Sequence, residues 1–337
     1  MENYQPPFTI TNKIVDLIAN ISELIGHITV TNKLSNNPKL RRANRIKTIQ
    51  ASLAIENNSL SLEQVTAILN GKRILGRPLE IKEVKNAYEA YEHLLTYNPY
   101  KIGDLLKAHK ILMADLVNTN GAFRNSGVGI FNGKQVVHMA PPANIVPELI
   151  RNLIDWYKNS PAHPLIKSAV FHYEFEFIHP FADGNGRMGR LWHTLLLTKW
   201  KSILAWVPVE TLVKERQDEY YKVLGIADKN ADSTCFVEFM LQTLYDMLIQ
   251  VSQSDYDTDH VSDQENDYVK RLLTILNDKE LSITEIMLQL GLKHKPTFRK
   301  NYLNPALEKG LIERTIPDKP RSKNQKYRIK KSEKISK

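Results

Sequence analysis

From His179 to Arg190 the 337-residue chain reads His-Pro-Phe-Ala-Asp-Gly-Asn-Gly-Arg-Met-Gly-Arg, so a dozen residues hold a base, a carboxylate, two loop glycines and two arginines. Gly184 and Gly186, flanking Asn185, permit backbone conformations closed to other residues, so successive amide N–H groups can point into one concavity and hold phosphate oxygens. The helix expected to begin there adds its positive end. Arg187 and Arg190 lie three apart, hence on one helical face, and each can fork onto a phosphate. Asp183 is a candidate magnesium ligand, because that ion takes one or two carboxylates together with substrate phosphates. His179 is a candidate base for an incoming hydroxyl. Together these groups suit nucleotidyl or phosphoryl transfer, a chemistry of positioning and charge neutralisation. The competing reading is a solvated helix start with stray charges.

The elements that must position these groups read as helices. Leu165 to Phe177 is apolar and helical, and it brings His172 and Glu176 onto one face just before the motif. Gly186 to Lys201 continues from it. Upstream, Ile14, Leu17, Ile18, Ile21, Leu24 and Ile25 mark an amphipathic helix from Thr11 to about Thr31. Arg42 to Leu53 is helical and runs out at Ser52-Leu53-Ala54-Ile55-Glu56-Asn57-Asn58, with Ser59 to Glu63 capping the next helix. Taken alone, Glu56 reads as a helix-end carboxylate facing water. Ile81 to Leu95, Gly103 to Leu116, Ile145 to Lys158, Val213 to Ala227 and Thr234 to Val251 complete a bundle. The exception is Val128 to Val137, where Val128, Ile130, Phe131, Val136 and Val137 flank Asn132-Gly133, a pair suited to a type I′ hairpin turn.

Ser252 to Asp267 carries six acidic residues, no Lys or Arg and little apolar content, and is expected to be a linker. Beyond it lie a helix at Tyr268 to Leu276, a capping box at Ser282-Ile283-Thr284-Glu285, a helix at Lys295 to Leu303, and strands at Leu311 to Ile316 and Lys326 to Ile329. That order describes a winged helix-turn-helix. The expected fold is therefore mainly α: a helical bundle with a β-hairpin flap, plus a C-terminal winged helix-turn-helix domain. Its divisions are an N-terminal helical region at 1–95, a core at 96–251, the acidic linker at 252–267 and the basic module at 268–337.

The net charge of +9 is uneven. Arg314 to Lys337 holds ten Lys or Arg against two Asp or Glu, which leaves +1 for everything before it. Any nucleic-acid argument applies to that end alone. The lone Cys235 excludes an internal disulfide and a multi-cysteine zinc site, and a reducing cytoplasm is the simplest compartment. Met1 to Pro7 lacks the features of a secretory signal, and Ile14 to Val30 carries Asp16, Glu23 and His27, wrong for a membrane span.

The His179 to Arg190 string resembles the Fic-domain signature at every defining position. That resemblance implies AMPylation: transfer of AMP from Mg·ATP to a Ser, Thr or Tyr hydroxyl of a target protein. It makes His179 the general base and Asp183 the metal ligand. The nucleotide-binding set becomes Gly184, Asn185, Gly186, Arg187, Gly189 and Arg190, with Arg190 on the γ-phosphate. Ser52, Glu56 and Asn57 resemble the family's inhibitory helix, in which the glutamate pairs with the second arginine of the motif, here Arg190. Asn57 stands where the family often has Gly.

The hairpin, Val128, Gly129, Ile130, Phe131, Val136 and Val137, is similar to the family's flap, beside which a target segment adds as a strand; a purely structural hairpin is the alternative. Tyr220 and Tyr221 fall where the family contacts adenine, or else they pack helices. The C-terminal module puts Phe298-Arg299-Lys300 on a recognition helix and Lys319 to Lys331 in a wing, a DNA contact or a solvated tail. Two further readings stay open: a DNA-binding regulator with a nucleotide-sensing Fic core, and an enzyme that uses Glu56 to remove AMP. Expected partners are ATP, a hydroxyl-bearing target protein, DNA through the winged helix, and a second copy of the chain.

Overall fold

The computed structural model describes residues 4–31, 33–132, 135–277, 279–292, 294–308, 310–319, 322 and 324–330. The chain runs through α1 (Asn12–Thr31), α2 (Lys33–Asn36), α3 (Pro38–Ile55), α4 (Leu62–Leu69), α5 (Pro78–Glu92) and α6 (Ile102–Leu112). A hairpin follows, β1 (Gly129–Asn132) and β2 (Gln135–Met139). Then come α7 (Val146–Asn159), α8 (Pro164–Ile178), α9 (Asn185–Trp200), α10 (Val209–Glu215), α11 (Gln217–Asn230) and α12 (Thr234–Leu276). The chain closes with α13 (Ile283–Gln289), α14 (Lys295–Phe298), α15 (Asn304–Glu308) and the antiparallel pair β3 (Ile312–Arg314) and β4 (Tyr327–Ile329). No helix among the described residues is long and apolar enough to cross a membrane.

These residues form two compact units, Met1–Ser252 and Gln253–Lys337, each with its own apolar core. In the first, α1 buries Ile14, Leu17, Ile21, Ile25 and Ile28, one stripe at helical spacing. α8 and α9 are buried on nearly every side, polar residues such as His172, Arg187, Arg190 and His193 included, and they pack on each other. α3 starts at an Asn37 cap, whose side chain accepts from the Leu40 amide at 3.0 Å, with Pro38 in the first turn. Its other end is held from outside. Gln217 Nε2 donates to Ile55 O at 3.0 Å, a carbonyl that the helix C-terminus leaves open, and Lys214 Nζ adds a bond at 2.9 Å to Ala54 O, which also accepts from the Asn57 amide.

Two expectations change. Val213 to Ala227 is not one helix: α10 begins at Val209, and Arg216 (φ −106°, ψ 30°) separates it from α11 while its guanidinium bonds Asp246 at 2.7 Å. The acidic stretch 252–267, expected as a linker, is helical backbone within α12, for it contains no Pro or Gly to stop the helix begun at Thr234.

In the second unit Leu272, Leu276, Ile286, Phe298, Tyr302, Ala306 and Ile312 share one core. Ser282 and Glu285 form the expected capping box. Phe298 is fully buried there and is a core residue rather than part of an exposed recognition surface, whereas Arg299 is exposed. The side chain of Lys300 and residues 331–337 of the basic tail lie outside the described residues.

Candidate active site

α8 ends at His179, whose φ of +50° is left-handed and turns the chain into the loop that precedes α9. His179 Nδ1 lies 3.3 Å from Glu176 O. A carbonyl only accepts, so in the neutral ring Nδ1 carries the hydrogen and Nε2 keeps the basic lone pair. The loop is tied at several points. The Asn185 amide bonds both the N–H and the C=O of Phe181 at 2.8 Å, so its side chain braces the loop, and only its backbone is left to face a phosphate. Phe181 stacks on His109 at 3.7 Å between ring centroids. Because His109 Nδ1 accepts from the Gly121 amide at 2.9 Å, its Nε2–H donates to Asp183 O at 3.0 Å. Burial keeps His109 below its usual pKa, in the neutral form this arrangement needs.

Arg124 does most of the fastening. Its Nε donates to His179 O at 2.7 Å, its Nη2 to Ile178 O at 3.2 Å and to Pro141 O, and its Nη1 to Ser126 O at 2.9 Å. Its own amide donates to Pro180 O at 2.9 Å. One guanidinium thus joins the end of α8 to both sides of the β1–β2 hairpin.

Gly184, at φ +85°, caps α9 with no side-chain hydrogen bond, so the first amides of that helix have no side-chain acceptor. A Cβ at Gly184 would come within 2.6 Å of Met113 Sδ, which with the positive φ restricts this position to glycine. Over this helix start lies Glu56. Its Oε1 accepts from Arg190 Nη2 at 2.7 Å and would stand 2.3 Å from a Cβ at Gly186, so the carboxylate rests directly on the expected phosphate cradle. Ser52 adds its hydroxyl to Arg190 Nε at 3.0 Å and its carbonyl to Nη2 at 2.9 Å. Burial alone would raise the Glu56 pKa; the Arg190 guanidinium, helped by Arg187 and His179, outweighs it and holds the carboxyl below its usual range. Asn57 takes φ +68°, the left-handed turn that Asn tolerates better than other non-glycine residues, which accounts for Asn at a position the family often gives to Gly.

Arg187 is also engaged, by Glu83 Oε1 of α5 at 2.8 Å and Asp183 Oδ1 at 3.1 Å. Glu83 Oε2 accepts from Asn58 at 2.8 Å, which connects this pair to the chain just after Glu56. Gly189 faces away from the cradle: a Cβ there would meet Glu176 Oε1 at 2.3 Å and His172 Cδ2 at 3.3 Å. Glu176 is largely buried, its Oε1 fully so and lacking a hydrogen bond, and burial pushes its pKa up to about 8 despite the charge of Arg190. Tyr220 is 1% exposed, and its hydroxyl lies 3.1 Å from His172 Nε2, so in this state it packs helices; Tyr221 beside it is 48% exposed.

The hairpin pairs Gly129 with Met139, Ile130 with His138 and Phe131 with Val136, with a register shift between Ile130 and Phe131. The expected turn residue Gly133 and its neighbour Lys134 lie outside the described residues. For a metal, Asp183 offers one half-exposed carboxylate. Arg187 and the Gly184 amide both bond its Oδ1. Among the described residues no group of three or more His, Cys, Asp and Glu could hold a metal ion. A single carboxylate beside a phosphate cradle fits magnesium, whose shell is completed by phosphates and water.

Glu83, Arg124 and His109 were not singled out from the sequence. Their partners lie 104, 55 and 74 residues away along the chain, so no local pattern announces them.

Comparison with known proteins meets this geometry. Residues 99–197 match the Fic/DOC family, and 267–330 match the C-terminal domain described as "Filamentation induced by cAMP protein Fic-like". A crystal structure of a Fic family protein from Desulfovibrio desulfuricans G20 is 55% identical, with 98% of this chain and 99% of that chain covered and a TM-score of 0.76. This chain belongs to the Fic family. The curated relatives include the protein adenylyltransferase Fic of Drosophila willistoni, 30% identical over 60% of this chain and 41% of that protein. A probable protein adenylyltransferase of Aquifex aeolicus is 31% identical over 42% of this chain and 43% of its own length. The chain spans about two fifths of the length of these curated relatives. Fic-1 of C. elegans has the same fold at 24% identity, with a TM-score of 0.61 over 72% of this chain and 73% of that one.

Proposed function

We propose that this Fic protein is an adenylyltransferase that moves AMP from ATP to a hydroxyl side chain of another protein, and that Glu56 holds it in an inactive state. The observation that carries the reading is the Glu56–Arg190 contact at 2.7 Å, with the carboxylate resting against Gly186 at the start of α9. A carboxylate in that place repels an incoming phosphate and occupies the guanidinium meant for it. With Glu56 withdrawn, the uncapped amides of α9, together with Arg187 and Arg190, face the phosphates.

In the active state His179 Nε2 takes the proton of the target hydroxyl. That oxygen then bonds to the α-phosphorus as the bond to the bridging oxygen breaks, and pyrophosphate leaves with its charge met by the arginines. Asp183 would hold magnesium together with the phosphates, and the ion would supply charge neutralisation. The tie from the segments flanking the β1–β2 hairpin through Arg124 to the His179 turn supports the reading that the hairpin edge presents a target strand beside the base. Tyr221 is the exposed aromatic available to an adenine. A reducing cytoplasm suits the lone Cys235.

The test is incubation with labelled ATP and magnesium, comparing wild type, Glu56→Gly and His179→Ala. Glu56→Gly is expected to label itself or added targets at least tenfold more than wild type, and His179→Ala not at all. Equal labelling by the two variants refutes the reading.

A further inference from the structure

The first two turns of α3, far in sequence from Glu56 at its other end, form a wall of a cleft of about 270 Å³. Arg41, Arg42 and Arg45 line it with Pro38, Tyr88 and Trp206, and none of the lining residues belongs to the motif at 179–190. Arg45 is 4% exposed, yet its Nε and Nη1 are buried without a hydrogen-bond partner among the described residues. Its guanidinium carbon stands 4.9 Å from the Trp206 ring centroid and 5.1 Å from that of Tyr91, and Arg41 stacks on the same indole at 5.1 Å. Arg42 is anchored by Leu69 O at 3.2 Å, Asn70 Oδ1 at 3.1 Å and the Tyr88 hydroxyl at 3.3 Å. Against three guanidiniums the lining holds one carboxylate, the exposed Glu92, which makes no ion pair with them among the described residues.

Such an arrangement is costly by itself. A buried guanidinium with unpaired N–H groups bears a desolvation penalty, which is why burial lowers the Arg45 pKa, and the charges of Tyr91, Glu210, Glu92 and Tyr88 offset it only in part. What it provides is a planar fork held rigidly between two aromatic faces, so that little freedom is lost when an oxyanion docks. The excess of two positive charges favours a doubly charged group over a single carboxylate. The size admits a small molecule rather than a macromolecule, and the start of the 18-residue α3 adds its positive end.

We propose that this cleft is a second anion site, for the phosphate or diphosphate group of a small molecule, with Arg45 as the central ligand and Arg41 and Arg42 beside it.

Calorimetric titration of inorganic pyrophosphate, with inorganic phosphate in a parallel arm, tests it in the full chain carrying Arg187→Gln, which disables the cradle at the motif. One binding event is expected there. Adding Arg45→Met should weaken it at least tenfold, and adding Arg41→Gln severalfold. Tighter binding of pyrophosphate than phosphate assigns a diphosphate group, and equal binding a single phosphate. Arg41 is on the surface side of the cleft, so its variant decides the matter should Arg45→Met fail to fold. No binding of either anion to the Arg187→Gln chain, or binding that the cleft substitutions leave unchanged, overturns the proposal.

Discussion

At the scale of the residue, two carboxylates near Arg190 are in opposite states, Glu56 ionised by the guanidinium and Glu176 protonated by burial against it. Glu56 makes a direct hydrogen bond to it and stays ionised, whereas Glu176, buried and without that bond, keeps its proton to about pH 8. The consequence for stability has a definite sign. Between the ordinary value of 4.5 and about 8, the folded chain holds a proton on Glu176 that the unfolded chain has lost. Stability contributed by that proton is therefore complete below the lower value and declines as pH rises through the window. Glu176→Gln keeps the shape of the protonated acid and has no proton to lose. Its melting temperature relative to wild type should rise between about pH 5 and about pH 9, by an amount corresponding to roughly 1 kcal/mol or more. A difference that is flat with pH, read by calorimetry, would show that Glu176 does not titrate there.

The elements explain why a loop can be this well placed. α8 and α9 pack on each other in the apolar core; the end of α8 is tied to the segments flanking the hairpin by the hydrogen bonds of Arg124 to Ile178, His179, Ser126 and Pro141. Arg124→Ala leaves those carbonyls without their charged partner, a loss of about 2–3 kcal/mol in stability. It also lets the His179 turn shift, and a displacement of about 1 Å costs roughly a hundredfold in rate. In the Glu56→Gly background, labelling should therefore fall by about that factor while ATP still binds, since no cradle residue is touched; loss of ATP affinity with an unchanged rate at saturation would contradict this role. Arg124 precedes the hairpin by a few residues, but nothing in its local sequence distinguishes it from a surface arginine.

Taking the molecule whole, His179, Asp183, the start of α9, Glu56, Glu83 and the β1–β2 hairpin all belong to the unit Met1–Ser252, whose core is continuous and separate from that of Gln253–Lys337. A chain ending at Ser252 and carrying Glu56→Gly should then melt cooperatively and retain self-labelling within about twofold of the full-length variant. Loss of labelling with the fold intact would assign the second unit a part in the chemistry. Duplex-binding measurements on the same pair ask the separate question of what Arg299 and the basic end contribute.

How much of this was legible in the chain alone follows from how local each signal is. The helices, their caps, the hairpin and the dodecapeptide from His179 to Arg190 depend on neighbours within a few residues, and the amino-acid order by itself determined them. So did the pairing partner expected for Arg190, through the resemblance of Ser52, Glu56 and Asn57 to an inhibitory helix. The break at Arg216 and the helical backbone of residues 252–267 were misread because composition is a weak guide to where a helix stops. Only the tertiary structure decided that Glu83 closes on Arg187, that Arg124 ties the His179 turn to the segments flanking the hairpin, that the Asn185 side chain is taken up by Phe181 and Gly189 packs against Glu176 and His172, and that Glu176 keeps its proton. Those properties depend on burial and on contacts between residues far apart in sequence, and the free energy of a charge depends on what the fold places around it.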